Sequence, residues 1–114
     1  MATVFIFGSN RQGRHGKGAA LHAREAYGAW YGQAKGRQGN SYAIVTKELR
    51  KNYPPVTLLE INLQVEVLRE YVLEHPEDTF LLTKIGCGLA GFKEEQIAPL
   101  FRNFPPNLIK PKGW

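Results

Sequence analysis

Two glycine-rich segments hold most of the residues that could do chemistry. The first runs Gly8-Ser9-Asn10-Arg11-Gln12-Gly13-Arg14-His15-Gly16-Lys17-Gly18, and the second runs Gly86-Cys87-Gly88-Leu89-Ala90-Gly91. Glycine lets a backbone approach a ligand closely and adopt positive φ angles, so that successive N–H groups can converge on an anion. Gly16 and Gly18 also precede a helical pattern, and the positive end of a helix favours phosphate. The same glycines would equally serve a tight turn that meets no ligand. Two familiar nucleotide motifs are excluded. Lys17 is followed by Gly18 instead of Ser or Thr, so the first segment is no P-loop. Gly13-x-x-Gly16-x-Gly18 has the wrong order for a dinucleotide fingerprint, and no acid follows at the required distance.

Other side chains admit both a chemical and a plain reading. His15, between Arg14 and Lys17, reads as a solvated loop histidine, with phosphate contact or acid–base work as the alternative. Cys87 sits in a loop suited to anions, which could lower its pKa, but no partner pattern supports a nucleophile. Glu94 and Glu95 begin a helix and would offset its positive end, although one of them could also serve as an acid. Tyr27, Trp30 and Tyr31 lie near Lys35 and Arg37, a grouping able to stack on single-stranded bases. Tyr27 and Trp30 have helical spacing and are expected in the core, which leaves Tyr31 free. His22 and His75 suggest no function.

The elements that must position these residues follow from periodicity. Thr3-Val4-Phe5-Ile6-Phe7 reads as a buried strand stopped by Gly8, and residues 9–18 read as a loop. Ala20, Ala23, Tyr27 and Trp30 predict a helix from Lys17 or Ala19, with Gly28 and Gly32 fraying its end. Residues 32–40 form a second basic glycine-rich loop, and Ser41 to Thr46 a strand that ends at Lys47. Leu58, Ile61, Val65, Leu68 and Val72 trace an apolar stripe along a long helix. Thr57 and Glu60 fit a capping box at its start, and His75-Pro76 closes it. Residues 79–85 predict a strand running into the second glycine segment. Residues 94–102 predict a short helix with Ile97, Leu100 and Phe101 inward, and 107–110 an edge strand bracketed by Pro105, Pro106 and Pro111. Alternating strands and helices, with continuously apolar strands, predict an α/β sheet covered on both faces, the three-layer α/β/α class. Ligands of such sheets bind at the strand carboxyl ends, where both glycine segments fall.

Composition bounds the rest. The chain has 114 residues, 43% of them hydrophobic, and a net charge of +5. The length fits one domain over residues 1–114. Residues 1–51 carry nine basic and two acidic side chains and eight of the twelve glycines, whereas residues 52–114 carry six basic and eight acidic. That asymmetry suits an anionic partner, either nucleic acid or the phosphates of a nucleotide; ordinary solubility charge is the alternative. One cysteine excludes a disulfide framework and a multi-cysteine metal site. No metal and no cofactor is expected. The apolar runs are too short to span a membrane, and the N-terminal residues lack a signal-peptide pattern, so a soluble cytoplasmic protein is the expectation.

Several runs resemble a known family. Phe5-Ile6-Phe7-Gly8-Ser9-Asn10, with Gly16-Lys17-Gly18-Ala19-Ala20 opening a helix, resembles the macrodomain pattern of a strand ending in Asn before a glycine loop. Ile85-Gly86-Cys87-Gly88-Leu89 followed by Ala90-Gly91-Phe92 resembles the second macrodomain loop. With Tyr42-Ala43-Ile44-Val45-Thr46-Lys47, it is most similar to the branch containing terminal ADP-ribose protein glycohydrolase. The resemblance spans about residues 4–101 and includes small bacterial and phage proteins of this shape.

The resemblance implies a minimal macrodomain-like sheet that binds ADP-ribose or a related nucleotide diphosphate and removes ADP-ribose from a modified macromolecule. Gly8, Ser9 and Asn10 would lie at the ligand, with Asn10 meeting the distal ribose and counted with the catalytic residues. Gly16, Lys17, Gly18 and Ala19 would hold that ribose and phosphate. Gly86, Cys87, Gly88, Leu89 and Ala90 would wrap the diphosphate through main-chain N–H groups, beside Gly91, and Phe92 would pack on the ligand. Lys47 matches the lysine that attacks the opened ribose, a role requiring a depressed pKa. Ala90 stands where that glycohydrolase has a catalytic Asp, and alanine cannot transfer a proton. The family's adenine-recognising Asp would precede Phe5, so recognition of adenine through it is not expected. The alternative function is a basic module that binds RNA or single-stranded DNA without catalysis.

Overall fold

The computed structural model describes residues 1–114. Its centre is β1, Thr3–Asn10, whose side chains alternate between two apolar layers. Val4 and Ile6 join the larger core cluster, whereas Phe5 and Phe7 turn to the smaller one. The strand is longer than the sequence reading, continuing through Gly8 to Asn10 because it pairs with β3, Ser41–Lys47, along that whole length. The ladder slips by one residue between Ser9 and Asn10, which sets Asn10 opposite Lys47. On its other side β1 pairs in parallel with β4, Thr79–Leu82, and β4 pairs in parallel with the short edge strand β5, Leu108–Ile109. β2, Gly36–Gln38, adds an antiparallel edge to β3. The sheet order is β2-β3-β1-β4-β5.

Helices cover both faces, as the continuous apolar strands predict. α1, Gly18–Ala26, places Ala20 and Ala23 against Phe7 and Ala43. α2, Leu58–Glu74, buries Ile61, Val65, Leu68 and Val72 on the opposite face, with the Thr57–Glu60 capping box formed. α3, Glu94–Ile97, and a 3-10 turn over Ala98–Phe101 complete that layer with Ile97 and Phe101.

Three further local readings change, the first being β4, which ends at Leu82 and not at Ile85. Residues 32–40, expected to be all loop, contain β2, a strand too short and polar to register as an apolar run. α1 stops at Ala26, because Gly28 adopts φ +75° and turns the chain back, with the Tyr27 and Ala29 N–H groups both donating to Ala23 O. Ala29 then takes the core position expected of Trp30, which is 59% exposed. Tyr27 is half-buried and stacks on Phe5 with ring centroids 4.7 Å apart.

The open end of β3 is closed by a side chain. β2 reaches only Ala43, so the outer edge of β3 beyond it lacks a strand. Gln64 of α2 supplies both missing partners: its Oε1 accepts from Val45 N–H at 2.7 Å, and its Nε2 donates to Val45 O at 2.8 Å. Removing the amide would strand two partly buried backbone groups, at about 1–3 kcal/mol each. Gln64→Ala is therefore expected to lower unfolding free energy in urea by about 2 kcal/mol or more. Gln64→Glu, which still accepts but cannot donate, should fall between that variant and the native chain.

Candidate functional site

The chain reverses direction across the sheet at β1: the first crossover leads to β3 on one side, and α2 then carries the chain to β4 on the other. Such a switch point leaves a crevice at the strand carboxyl ends. Here it is a cleft of about 700 Å³, within the range of small-molecule sites. Gly8 forms part of its lining, and a Cβ there would stand 3.1 Å from Thr46 Oγ1 and 3.5 Å from Gly86 N. The two glycine segments form its walls.

The first wall has unused donors. Gly16, Lys17, Gly18, Ala19 and Ala20 all line the cleft, and none of their N–H groups meets an acceptor within the chain. Lys17 is the N-cap of α1 and provides no side-chain cap, so the positive helix end stays open. The second wall is alike. Gly86, Gly88, Leu89 and Ala90 line the cleft with N–H groups that have no intramolecular acceptor. Cys87 differs, because its N–H donates to Lys84 O at 3.3 Å.

The charge in the cleft has one sign. Arg14, Lys17, Lys47 and Lys84 line it, and no Asp or Glu does. Lys84 is paired with Glu94 at 3.1 Å; Arg14, Lys17 and Lys47 have no ion-pair partner. The arrangement can hold an extended polyanion by backbone donors on two sides and free cations between them. It provides no carboxyl group for proton transfer. Ala90 occupies the lining; neither candidate acid, Glu94 or Glu95, does, and Glu94 is held below the usual carboxylate range by hydrogen bonds from Trp114 and Lys84.

Several expected residues are placed differently from a direct ligand contact. Asn10 lines the cleft, but its amide clamps the loop, with Oδ1 accepting from Arg14 N–H at 2.8 Å and Nδ2 donating to Arg14 O at 2.9 Å. Ser9 also lines it, yet its hydroxyl donates to Ala34 O. Cys87, Gly91 and Phe92 are not part of the lining. Phe92 packs on the larger core with its ring edge beneath Gly86, and Cys87 packs there too. Burial and the nearby Glu94 charge push the Cys87 thiol up, opposite to the shift a reactive cysteine needs.

His15 is no solvated loop residue. It is fully buried, edge-on to Phe7, with Nε2 2.9 Å from Gln33 O and 3.1 Å from Gln38 Oε1. Both neighbours are acceptors, so the proton belongs on Nε2 and Nδ1 is left as an unpartnered acceptor. The ring thereby ties the first glycine loop to β2. Sequence gave no sign of this, because the partners lie 18 and 23 residues away. Thr46 and Lys84 could have been found as residues at strand ends, whereas Arg14, Tyr31 and Leu49 reach the cleft through loop geometry alone. Arg37, expected beside the Tyr27, Trp30 and Tyr31 group, is spent on Gly39 O, the Tyr71 hydroxyl and Asp78.

A polar clasp holds the first loop from the other side. Arg11 donates to Pro54 O and to Glu60 Oε2, both at 2.7 Å. Gln12 donates to Glu48 Oε2 at 2.7 Å and accepts from Leu49 N–H at 3.1 Å, while Arg50 donates to Glu48 Oε1 at 2.7 Å. Arg50 also lies over the Tyr53 ring, 3.4 Å from its centroid.

With three layers and a cleft at the carboxyl ends of its central strands, the fold is macrodomain-like. The chain is similar to a macrodomain protein from Streptomyces coelicolor, with a TM-score of 0.56 and 17% identity over 98% of this chain and 89% of that one. It is also similar to a protein of unknown function from Bacteroides thetaiotaomicron, with a TM-score of 0.62 and 20% identity over 87% and 77% of the two chains. A further protein structure from Bacteroides thetaiotaomicron gives a TM-score of 0.58 and 21% identity over 87% and 78%. At these identities the likeness is one of fold, and it does not single out the glycohydrolase branch. No protein-family model and no curated protein matches the chain.

The clasp makes stability depend on acid. The Arg11 hydrogen bond holds the Glu60 carboxyl below its ordinary range. Covering Glu48 raises its pKa, but hydrogen bonds from Gln12 and Arg50 and the charges of Arg50 and Arg11 outweigh that and leave it lowered. Carboxylates with depressed folded pKa values contribute fully above the unfolded value of about 4.3 and lose that contribution as pH falls through the folded one. The melting temperature should thus be flat from neutral pH to about pH 5 and fall below it. Glu60→Gln should flatten that acid limb; an unchanged acid slope in the variant would remove the clasp from the account.

Proposed function

We propose that the chain binds ADP-ribose or a related nucleoside diphosphate in this cleft. The observation that carries the reading is the convergence of unpaired N–H groups from both glycine loops on a space lined by cations and by no carboxylate. A diphosphate offers the acceptors these donors lack, in a surround that favours its charge. The likeness to the Streptomyces coelicolor macrodomain protein supports the same ligand class. Gly16 to Ala19 would hold the distal ribose and its phosphate, and Gly86 with Gly88 to Ala90 would hold the diphosphate. Asn10 would act through the loop it clamps, and Ser9 through the backbone. RNA or single-stranded DNA is less well supported, since Arg37 is not free to meet a phosphate.

A second reading, removal of ADP-ribose from a modified macromolecule, is favoured by one observation: Lys47 lines the cleft without an ion-pair partner. Its amine would bond to the anomeric carbon of the opened distal ribose as the bond from that carbon to the acceptor oxygen breaks. The acceptor would leave with that oxygen, the amine proton would pass to water, and water would later release the lysine. The cleft contributes no carboxyl group to move the proton, so binding is the function supported best.

Thermal unfolding with increasing ADP-ribose tests the binding reading, and release of ADP-ribose from a modified acceptor tests the second. Ligand at about 100 times its Kd should add roughly 2.7 kcal/mol of stability. No shift with ADP-ribose or ADP would sink the binding reading. Lys47→Ala should keep a ligand-dependent shift, and it should abolish whatever release of ADP-ribose from a modified acceptor the native chain performs. Release that persists in the variant would take Lys47 out of the chemistry.

A further inference from the structure

The solvent face of α2 breaks the pattern of a surface helix. Ile61, Val65, Leu68 and Val72 turn to the core, and a helix covered on one side should be polar on the other. Leu59, Leu63 and Val67, each four residues from the next, instead form a row on the outer side, exposed by 66%, 59% and 63%. Toward the C-terminus that side turns acidic, with Glu66, Glu70 and Glu74 all exposed. Glu66 is paired with Arg69, whereas Glu70 and Glu74 have no ion-pair partner. These two repel each other across one turn, and Glu74 stands at the end where the helix dipole is already negative. No basic residue in the last turn relieves it. Exposed aliphatic side chains and unpaired acids at the wrong helix end are both unfavourable in a lone chain, and local rules broken together point to a site.

A partner for this face must be apolar in the middle and positive at one end. The face itself has that make-up when it is turned around. The N-terminal end of α2 is the positive end of the dipole, and the segment leading into it carries Lys51, exposed and without an ion-pair partner. We propose that the outer face of α2 is a homodimer interface, with the α2 helices of two copies packed antiparallel across a two-fold axis at Leu63. Such an isologous contact requires a self-complementary surface. Leu59 of one copy then meets Val67 of the other. At a rise of about 1.5 Å per residue, Glu70 and Glu74 lie about 10 Å and about 16 Å along the helix from the axis, and the Thr57 N-cap about 9 Å. The acids of each copy therefore reach the N-terminal end of the other copy's helix and the segment that holds its Lys51. Three exposed aliphatic side chains cover far less than the roughly 800 Å² per partner of a standard interface, so the dimer is weak and forms at high concentration. The inference is independent of the nucleotide reading, because α2 contributes no residue to the cleft.

Sedimentation velocity of the full chain from about 10 µM to about 1 mM tests this, and the mean mass should climb toward that of two chains. Leu63→Glu and, separately, Val67→Glu keep a good helix former or improve on one while placing charge at the contact. Each should stay monomeric throughout, with the urea midpoint of the dilute chain unchanged, because both side chains are exposed before association. Glu74→Lys and Lys51→Glu should each weaken the dimer at least about threefold, since every pair occurs twice across the axis. The chain with both exchanges should return to within about twofold of the native constant. A native chain still monomeric at the top of the range would overturn the proposal, whatever other partner the face might take. A dimer that survives Leu63→Glu and Val67→Glu would also overturn it, by placing the contact elsewhere. Growth past two chains would contradict the closed two-fold, and failure of the double exchange to restore association would contradict the antiparallel pairing.

Discussion

Backbone N–H groups must find acceptors, and the ends of this sheet leave a cluster of them without any inside the chain. A parallel strand can pass its donors to its neighbours only as far as the ladder runs. β1 stops between β3 and β4, and the segments that follow β1 and β4 turn away on glycines before their amides are paired. The open first turn of α1 adds its own unpaired donors to the same space. Everything else about the site answers to that surplus of positive potential: the free Arg14, Lys17 and Lys47 reinforce it, and the absence of carboxylates from the lining preserves it.

Donors aimed at a ligand are useful only if the loops cannot collapse onto them. The first loop is fixed at several points by contacts distant in sequence. The Asn10 amide closes it on Arg14, the buried His15 ring ties it to Gln33 and Gln38, and Gly13 meets Gly32 backbone to backbone. Arg11 and Gln12 fasten its near end to Glu60 and Glu48. The second loop is braced by Phe92 N–H donating to Gly86 O at 2.8 Å and by Cys87 N–H on Lys84 O. Thus Cys87 and Phe92 shape the second wall from behind, and Asn10, within the lining, holds the first loop in place.

That division explains what could be read in the sequence. Apolar periodicity revealed β1, β3, α2 and the α/β class, because burial on two faces leaves long runs of Val, Ile, Leu and Phe. Glycine spacing marked both loops, since positive φ and close backbone approach restrict the residue type. β2 was invisible: Gly36, Arg37 and Gln38 pair with β3 but bury only Gln38. Trp30 falls outside the core because Gly28 ends α1 in mid-pattern, and the burial of His15 is hidden because its partners, Gln33 in a loop and Gln38 on β2, carry no apolar signal. The resemblance to macrodomains points to the strand ends that border the cleft. It could not tell a side chain that faces the cleft from one that braces it, a distinction set by long-range packing.

The central claim is that main-chain amides of the two loops are the ligand-contacting groups. Backbone amide NMR during titration with ADP-ribose tests it most directly. The account predicts shifts concentrated on Gly16, Lys17, Gly18, Ala19 and Ala20 and on Gly86, Gly88, Leu89 and Ala90, with the already bonded Cys87 and Phe92 amides moving less. Saturable binding that moved amides elsewhere while leaving those of both loops in place would contradict it.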